Sequence, residues 1–226
     1  MNRAKLQTEA PVLAFFDIDG TLLVGKSSER RFFDYLRRRK QISLSRWLLF
    51  FSFLLSQWVR FGIHVGKKNK AYLNDLAVDD INRLASAFVR DELLQALNQK
   101  VLQRLKWHLA EGHRVVLLSG TLQPVAEALG RQIGVCDIVA TECSVRYGRY
   151  TSSAPWRHPF GHEKLALAKT FANALSSTLA SAYAYGDSSK DRYLMRAVAH
   201  PVSVCPDRGL KRLAVRLGWE IMLRDG

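Results

Sequence analysis

Two aspartates one residue apart, Asp17 and Asp19, close the apolar run Val12-Leu13-Ala14-Phe15-Phe16 and stand just before Gly20-Thr21. A continuous apolar run bounded by a turn residue predicts a strand buried on both faces, the kind found in parallel sheets. In an open α/β sheet, ligands sit at the carboxyl ends of the strands, where both acids fall. With Ile18 between them the two side chains start on the same side, and Gly20 lets the backbone turn sharply behind them. Carboxylates this close repel unless a cation lies between them or one keeps its proton. The pattern therefore asks for a hard, oxygen-seeking ion such as Mg²⁺.

Three later stretches carry further candidates. Ser119 follows the apolar run Val115-Val116-Leu117-Leu118, Lys164 opens a helical pattern after Gly161, and Gly186-Asp187-Ser188-Ser189-Lys190-Asp191 follows a small apolar strand. Asp17-Ile18-Asp19-Gly20-Thr21-Leu22 resembles the first signature of the haloacid dehalogenase (HAD) superfamily, and these three stretches resemble its other signatures in the right order. The likeness runs from about 12 to 221. It points to subfamily IB, the phosphoserine phosphatase-like hydrolases, on the strength of the helical insertion after the first signature and the tail Ala199–Asp207 with Leu210, Leu213 and Gly218-Trp219.

The resemblance implies phosphoryl transfer through an aspartyl-phosphate. Asp17 would be the nucleophile; a carboxylate is ionised at neutral pH and needs no activating base. Asp19 would protonate the leaving alkoxide and then deprotonate water, its pKa raised by the neighbouring charge. Metal ligands would come from Asp17, Asp19, Asp187 and Asp191, with the Ile18 carbonyl beside the ion. Ser119 and the Gly120 N–H, at a strand-to-helix junction, would bind phosphate, and Lys164 would add positive charge to the transferring oxygens.

The elements that must position these groups are legible in outline. Strands are predicted at about 11–17, 115–119, 137–141, 181–185 and 200–204, alternating with helices from Ser27 or Ser28, around Pro124–Gly130, from Lys164 to Leu175 and from Leu210 to Leu217. Ser144–Thr151 alternates around Gly148 and reads as a β-hairpin. Residues 71–111 carry two helical patterns, one with Ile81, Leu84, Ala85 and Phe88, the other running from Leu93 to Leu105. His158 and His162 read as loop residues, separated by Pro159 and Gly161. The expected fold is α/β: a doubly wound parallel sheet, a HAD-like Rossmannoid core, with a helical cap inserted after the first strand. The core would comprise 1–24 and 96–226 and the cap 25–95, which in this superfamily closes over the site and selects the substrate.

Composition narrows the surroundings. The chain has 226 residues, a net charge of +14 and three cysteines, Cys136, Cys143 and Cys205. An odd cysteine count without Cys-x-x-Cys, and no secretory signal before the first strand, fit a reducing cytoplasm and argue against structural zinc. The positive charge favours anionic partners, but no nucleic-acid module of the usual kinds is present. Residues 47–59 are apolar nearly all round, with Arg46 and Arg60 flanking and Trp47 and Trp58 near the ends. The run is too short to span a bilayer; it reads either as a buried cap helix or as a segment, 46–60, in peripheral contact with an anionic membrane such as the inner membrane surface.

The substrate is expected to be a phosphorylated small molecule or lipid. Phosphoserine phosphatases carry an acidic residue after the first signature that meets the substrate ammonium, and here Lys26 stands at that place, with Glu29 displaced. A lysine would repel an amine and accept an anion, which disfavours phosphoserine and histidinol phosphate and favours a lipid-linked monoester such as phosphatidylglycerophosphate. The rivals are a small-metabolite phosphatase, a phosphotransferase acting on an alcohol, and a non-catalytic scaffold binding an anionic partner or membrane.

Overall fold

Strand alternation explains the three-layered architecture. In the computed structural model, residues 10–42 and 70–223 are described; the apolar segment 46–60 lies outside them. β1 (Leu13–Phe16) sends Leu13 and Phe15 into one hydrophobic cluster and Ala14 and Phe16 into another. β2 (Arg114–Leu122) does the same, with Val116 and Leu118 on the first face and Val115 and Leu117 on the second. Period-two side chains of a strand buried on both faces must divide in this way. Burying each such Leu or Phe contributes about 1.5–3 kcal/mol, so the central strands are also the ones least able to shift register.

The main sheet has six parallel strands in the order β3-β2-β1-β6-β7-β8. Its remaining members are β3 (Asp137–Thr141), β6 (Tyr183–Gly186), β7 (His200–Val204) and β8 (Glu220–Met222). From β1 the chain winds outward through β2 and β3, then returns to the other side of β1 and winds outward again. The switch point at β1 is where a doubly wound sheet opens a crevice at its carboxyl edge. A separate hairpin pairs β4 (Val145–Arg146) with β5 (Arg149–Tyr150), as the alternation around Gly148 predicts.

Helices cover both faces. α1 (Ser28–Arg38), α2 (Val78–Phe88), α3 (Gln99–Ala110) and α4 (Gln123–Ile133) pack on the Phe16 side; α5 (His162–Ala174), α6 (Arg192–Met195) and α7 (Arg208–Leu217) pack on the Phe15 side. Ser27 caps α1, its hydroxyl accepting the Arg30 N–H, as an N-cap serine does. α5 starts two residues before Lys164, so His162 opens a helix and is not the loop residue expected; its ring lies tilted against Tyr193.

The second helical pattern, Leu93 to Leu105, is broken. Residues 89–96 form irregular helical turns and α3 starts only at Gln99. Between them Leu97 forms an antiparallel bridge with Leu23, the Val24 N–H donates to Ala96 O at 2.9 Å, and the Asn98 N–H donates to Leu22 O at 2.9 Å. Pairing with the segment after Asp19 pulls Leu97 and Asn98 extended, and local helix propensity yields to it. The same contacts tie residues 22–24 to residues 96–98.

Candidate active site

Three parallel strands converge on one place: β1 leads into Asp17 and Asp19, β2 carries Ser119 within its second half, and β6 leads into Asp187. Asp17 follows β1, yet its N–H still donates to Tyr185 O of β6 at 3.0 Å, so the ladder continues to the acid. Beyond it the backbone turns: Gly20 has φ of 87°, and the Leu23 N–H donates to Ile18 O at 2.8 Å. The Ile18 carbonyl expected beside the ion is thus engaged in closing this turn. Gly20 serves a second purpose, since a Cβ on it would lie 2.1 Å from Asp187 Oδ2. Only glycine combines that φ with so close an approach.

Asp17, Asp187 and Asp191 bring carboxylate oxygens within 4.8 Å of one another. Lys164, 5% exposed, reaches the same group: its Nζ donates to Asp17 Oδ1 at 2.7 Å and to Asp191 Oδ1 at 2.6 Å. Asp191 also accepts from the Ser188 N–H and hydroxyl, which folds the 187–191 turn back on itself. Burial pushes the Asp17 carboxyl up to about 6, with Lys164 opposing and the Asp191 charge assisting. Burial pushes Asp187 up to about 8, reinforced by the charges of Asp17 and Asp191. One lysine does not neutralise three clustered carboxylates. A donor set of oxygens under mutual repulsion suits a hard divalent cation.

Asp19 is placed differently from its metal-ligand expectation. Its carboxylate turns away from the cluster and accepts the Ser28 N–H at 2.6 Å, the Ser28 hydroxyl at 2.9 Å and the Thr121 hydroxyl at 3.2 Å. Ser28 is the first residue of α1, so the carboxylate sits at a helix N-terminus, where negative charge is favoured. The Asp19 pKa is raised, first by burial, against the lowering effect of the Ser28 and Thr121 bonds. The neighbouring Asp17 charge, expected to be the cause, is not the main one. The sequence offers Ser28 only as a helix start, and Ser27 fills the capping role; the contact of Ser28 with Asp19 emerges from the fold.

Ser119, 1% exposed, also differs in context. It lies inside β2, four residues before α4, where the pairing with β3 slips between Leu118 and Leu122. Residues 119–121 leave the regular ladder through this bulge, so strand irregularity and not a helix start opens the backbone here. The Thr121 N–H donates to Ser119 Oγ at 3.3 Å.

These groups line a cavity of about 250 Å³ together with Ser27, Glu29, Gly120, His158, Pro159, Phe160, Gly161, Ser188 and Lys190. Asp17, Asp19, Ser119, Gly120, Lys164, Asp187 and Asp191 all reach it. Lys26 does not: it is exposed, outside the lining, and its carbonyl accepts from Arg31 Nε at 3.0 Å. Glu29 occupies the wall instead, one helical turn further on, and its carboxylate pairs with Lys70, itself buried. The displacement arises because Gly25–Ser27 loop out before α1, turning position 26 to solvent and position 29 inward. Among the described residues, no helix is long and apolar enough to cross a membrane.

The model of the haloacid dehalogenase-like hydrolase family matches residues 14–196. A protein of Mycobacterium tuberculosis named as a probable phosphatase is 27% identical over 222 residues, covering 94% of this chain and 75% of its own. The crystal structure of a protein of unknown function from Bordetella pertussis Tohama I shares the fold at a TM-score of 0.80 and 25% identity, covering 94% of this chain and 98% of that one. A phosphoserine phosphatase, solved as an analogue of its phospho-aspartyl intermediate, shares it at a TM-score of 0.60 and 15% identity, over 96% of each chain.

Proposed function

We propose that this chain, which belongs to the haloacid dehalogenase-like hydrolase family and is a phosphatase of it, hydrolyses a phosphomonoester through an aspartyl-phosphate with Mg²⁺ as cofactor. The observation that carries the reading is the Lys164 ammonium held between Asp17 and Asp191 at 2.7 and 2.6 Å. That bond keeps one oxygen of a buried carboxylate occupied and favours its ionised form, leaving the other oxygen to attack phosphorus.

Asp17 would attack the phosphoryl group as the bond to the leaving oxygen breaks. Asp19, whose raised pKa lets it hold a proton, would deliver that proton to the departing alkoxide. In the second half Asp19 would take a proton from water, whose oxygen attacks phosphorus, releasing inorganic phosphate and restoring Asp17. The hydrogen bonds from Ser28 and Thr121 hold Asp19 in one orientation through both transfers. Ser119 and the Gly120 N–H would receive the non-bridging oxygens, with Lys164 beside them. Asp17, Asp187 and Asp191 would hold Mg²⁺, directly or through water, and the bound ion supplies charge neutralisation for the transferring group.

Two substrate readings meet different observations. The lipid-linked monoester rested on Lys26, which lies outside the cavity, and on segment 46–60, outside the described residues. A cavity of about 250 Å³ favours a compact monoester, such as phosphoserine or histidinol phosphate; Glu29 in its wall would meet the amine of either by exchanging its Lys70 partner. The experiment is phosphate release with and without Mg²⁺ by wild type and Asp17→Asn. The panel is phosphoserine, histidinol phosphate, glycerol phosphate and detergent-dispersed phosphatidylglycerophosphate. Turnover of any of them that persists in Asp17→Asn would refute the mechanism. Turnover of the lipid alone would restore the first substrate reading.

A further inference from the structure

The stretch His158-Pro159-Phe160-Gly161, into which Arg157 leads, matches no signature, yet it lines the cavity together with Ser119 and Gly120. It is held at both ends. The Glu142 N–H donates to Arg157 O at 3.0 Å, and Glu163, in the first turn of α5, accepts the His158 N–H at 3.1 Å. The His158 side chain is 7% exposed, and its position against the bulge in β2 is close: a Cβ on Gly120 would lie 3.4 Å from His158 Cε1.

Hydrogen-bond directions here follow from valence alone. The Gly120 carbonyl can only accept, so the Thr141 hydroxyl donates its one hydrogen to it, at 2.7 Å. The 2.8 Å contact between Thr141 Oγ1 and His158 Nδ1 must then be donated by the ring. His158 therefore carries hydrogen on Nδ1. The Gly120 carbonyl shares a rigid peptide plane with the Thr121 N–H, and that N–H donates to Ser119 Oγ at 3.3 Å. A single buried chain thus runs from the His158 imidazole through Thr141 and one peptide group to the Ser119 hydroxyl. Thr141, Thr121 and Ser119 are each at most 1% exposed.

We propose that His158 is a positioning residue for phosphate binding: its Nδ1–H, relayed through Thr141, fixes the Ser119–Thr121 bulge in the conformation that receives phosphoryl oxygens. The inference rests on reading that bulge as the phosphate cradle. It differs from simple wall packing in a checkable respect. The relay needs a donor at the Nδ1 position, which an asparagine amide supplies and a glutamine amide, one methylene longer, does not.

The test measures inorganic phosphate binding by calorimetry with Mg²⁺, alongside turnover and KM, for the full chain. The variants are His158→Asn, His158→Gln, Thr141→Val and the double variant His158→Gln/Thr141→Val, each checked by thermal melting. His158→Gln and Thr141→Val are expected to weaken phosphate binding by about tenfold each, the scale of one buried hydrogen bond. His158→Asn should stay within about threefold of wild type, and the double variant should be no worse than either single one, as members of one chain behave. Equal losses in Asn and Gln, additive losses in the double variant, or unchanged phosphate affinity throughout would overturn the relay. Phosphate binding by a wild type that turns over no monoester would sink the function and leave the relay testable; no phosphate binding by wild type would sink both.

Discussion

Replacing Lys164 with methionine keeps the length of the side chain and removes the ammonium that bonds Asp17 and Asp191, the two buried members of a group of three carboxylates. The structure gives the scale. Its ammonium makes two charge-assisted bonds, at 2.7 and 2.6 Å, to partners whose side chains are 10% and 6% exposed. Removing one partner of such a buried pair costs about 3–5 kcal/mol when the other charge stays ionised. Asp17 will not stay ionised, however, and this gives the effect a pH signature. In the wild type the Asp17 pKa is raised to about 6 by burial, with Lys164 holding it down; without the lysine it rises further. A carboxyl whose folded pKa lies above its unfolded value destabilises progressively as pH rises between the two, by about 1.4 kcal/mol per unit. Above pH 6 the wild type has already lost that proton, while the variant still holds it and continues to lose stability. Lys164 itself has a raised pKa, so its contribution is constant well below its unfolded value of about 10.4. Urea denaturation in EDTA should therefore show a gap that widens from pH 6 to pH 8 toward about 3–5 kcal/mol. Turnover should fall by about 10²–10³ at neutral pH, and its rise with pH should shift to higher pH than in the wild type, because Asp17 must lose its proton before it can attack. A gap below about 0.5 kcal/mol at pH 8, the scale of an exposed pair, or one independent of pH, would refute the reasoning.

The metal-free carboxylate cluster makes a second prediction: because Asp187 holds its proton up to about pH 8, Mg²⁺ binding at pH 7 should release protons. Calorimetry in buffers of different ionisation enthalpy would show a buffer-dependent heat, and identical heats would count against the cluster as the ion's site. Asp187→Asn should raise the melting temperature in EDTA at pH 8 and abolish the Mg²⁺ response, as expected where function is built on repulsion. Ser28→Ala deletes the 2.9 Å bond to Asp19 and the 3.1 Å contact to Thr121 and should cost about 1–3 kcal/mol with turnover reduced more than KM. Unchanged turnover would mean that Asp19 needs no such anchor. His108 is wholly buried, its pKa lowered to about 3 by burial and by His113 and Arg104, and it bonds His113 and Tyr185 at 2.7 and 2.8 Å. An unfolded histidine gains its proton near pH 6.5, so the folded state should lose up to about 1.4 kcal/mol per unit as pH falls from 6.5 toward 3. In His108→Gln that slope should disappear from acid titrations of stability; its persistence would assign it elsewhere.

How much of this could be read in advance divides along a physical line. β1, β2 and β6 were legible because buried strands must be nearly continuously apolar, and Asp17, Lys164, Asp187 and Asp191 because each follows such a run or lies near a helix start. The family likeness placed them in order. What escaped depends on contacts distant in sequence. Nothing local in Leu93–Leu105 says that Leu97 will pair with Leu23; the break in the helix is imposed by a segment more than seventy residues away. β8 escaped because Glu220–Met222 is three residues long and is held by its ladder with β7. Lys26 and Glu29 exchanged places because a count of positions after a motif cannot register how far a loop bulges before a helix begins.

Ser28 and His158 were missed for a related reason, and they show where the legibility of such a site ends. A nucleophile or a metal ligand must be of a given residue type, so its motif announces it. A group that only aims another group has many chemical solutions: a serine at a helix start for Asp19, a histidine acting through a threonine for Ser119. Both were visible in the sequence as ordinary residues, one a helix-capping type and the other a loop histidine before proline. Each acquires its role from a partner 9 or 17 residues away, and each is connected through Thr121, whose hydroxyl reaches Asp19 and Ser119 at 3.2 Å alike. On the proposed roles, Thr121 would couple Asp19 to the bulge that receives phosphate. Thr121→Val should then impair both halves of the reaction, lowering turnover and phosphate affinity together, whereas Ser28→Ala should lower turnover alone. Should Thr121→Val leave phosphate affinity intact, the two sides of the site are held independently and the coupling is refuted.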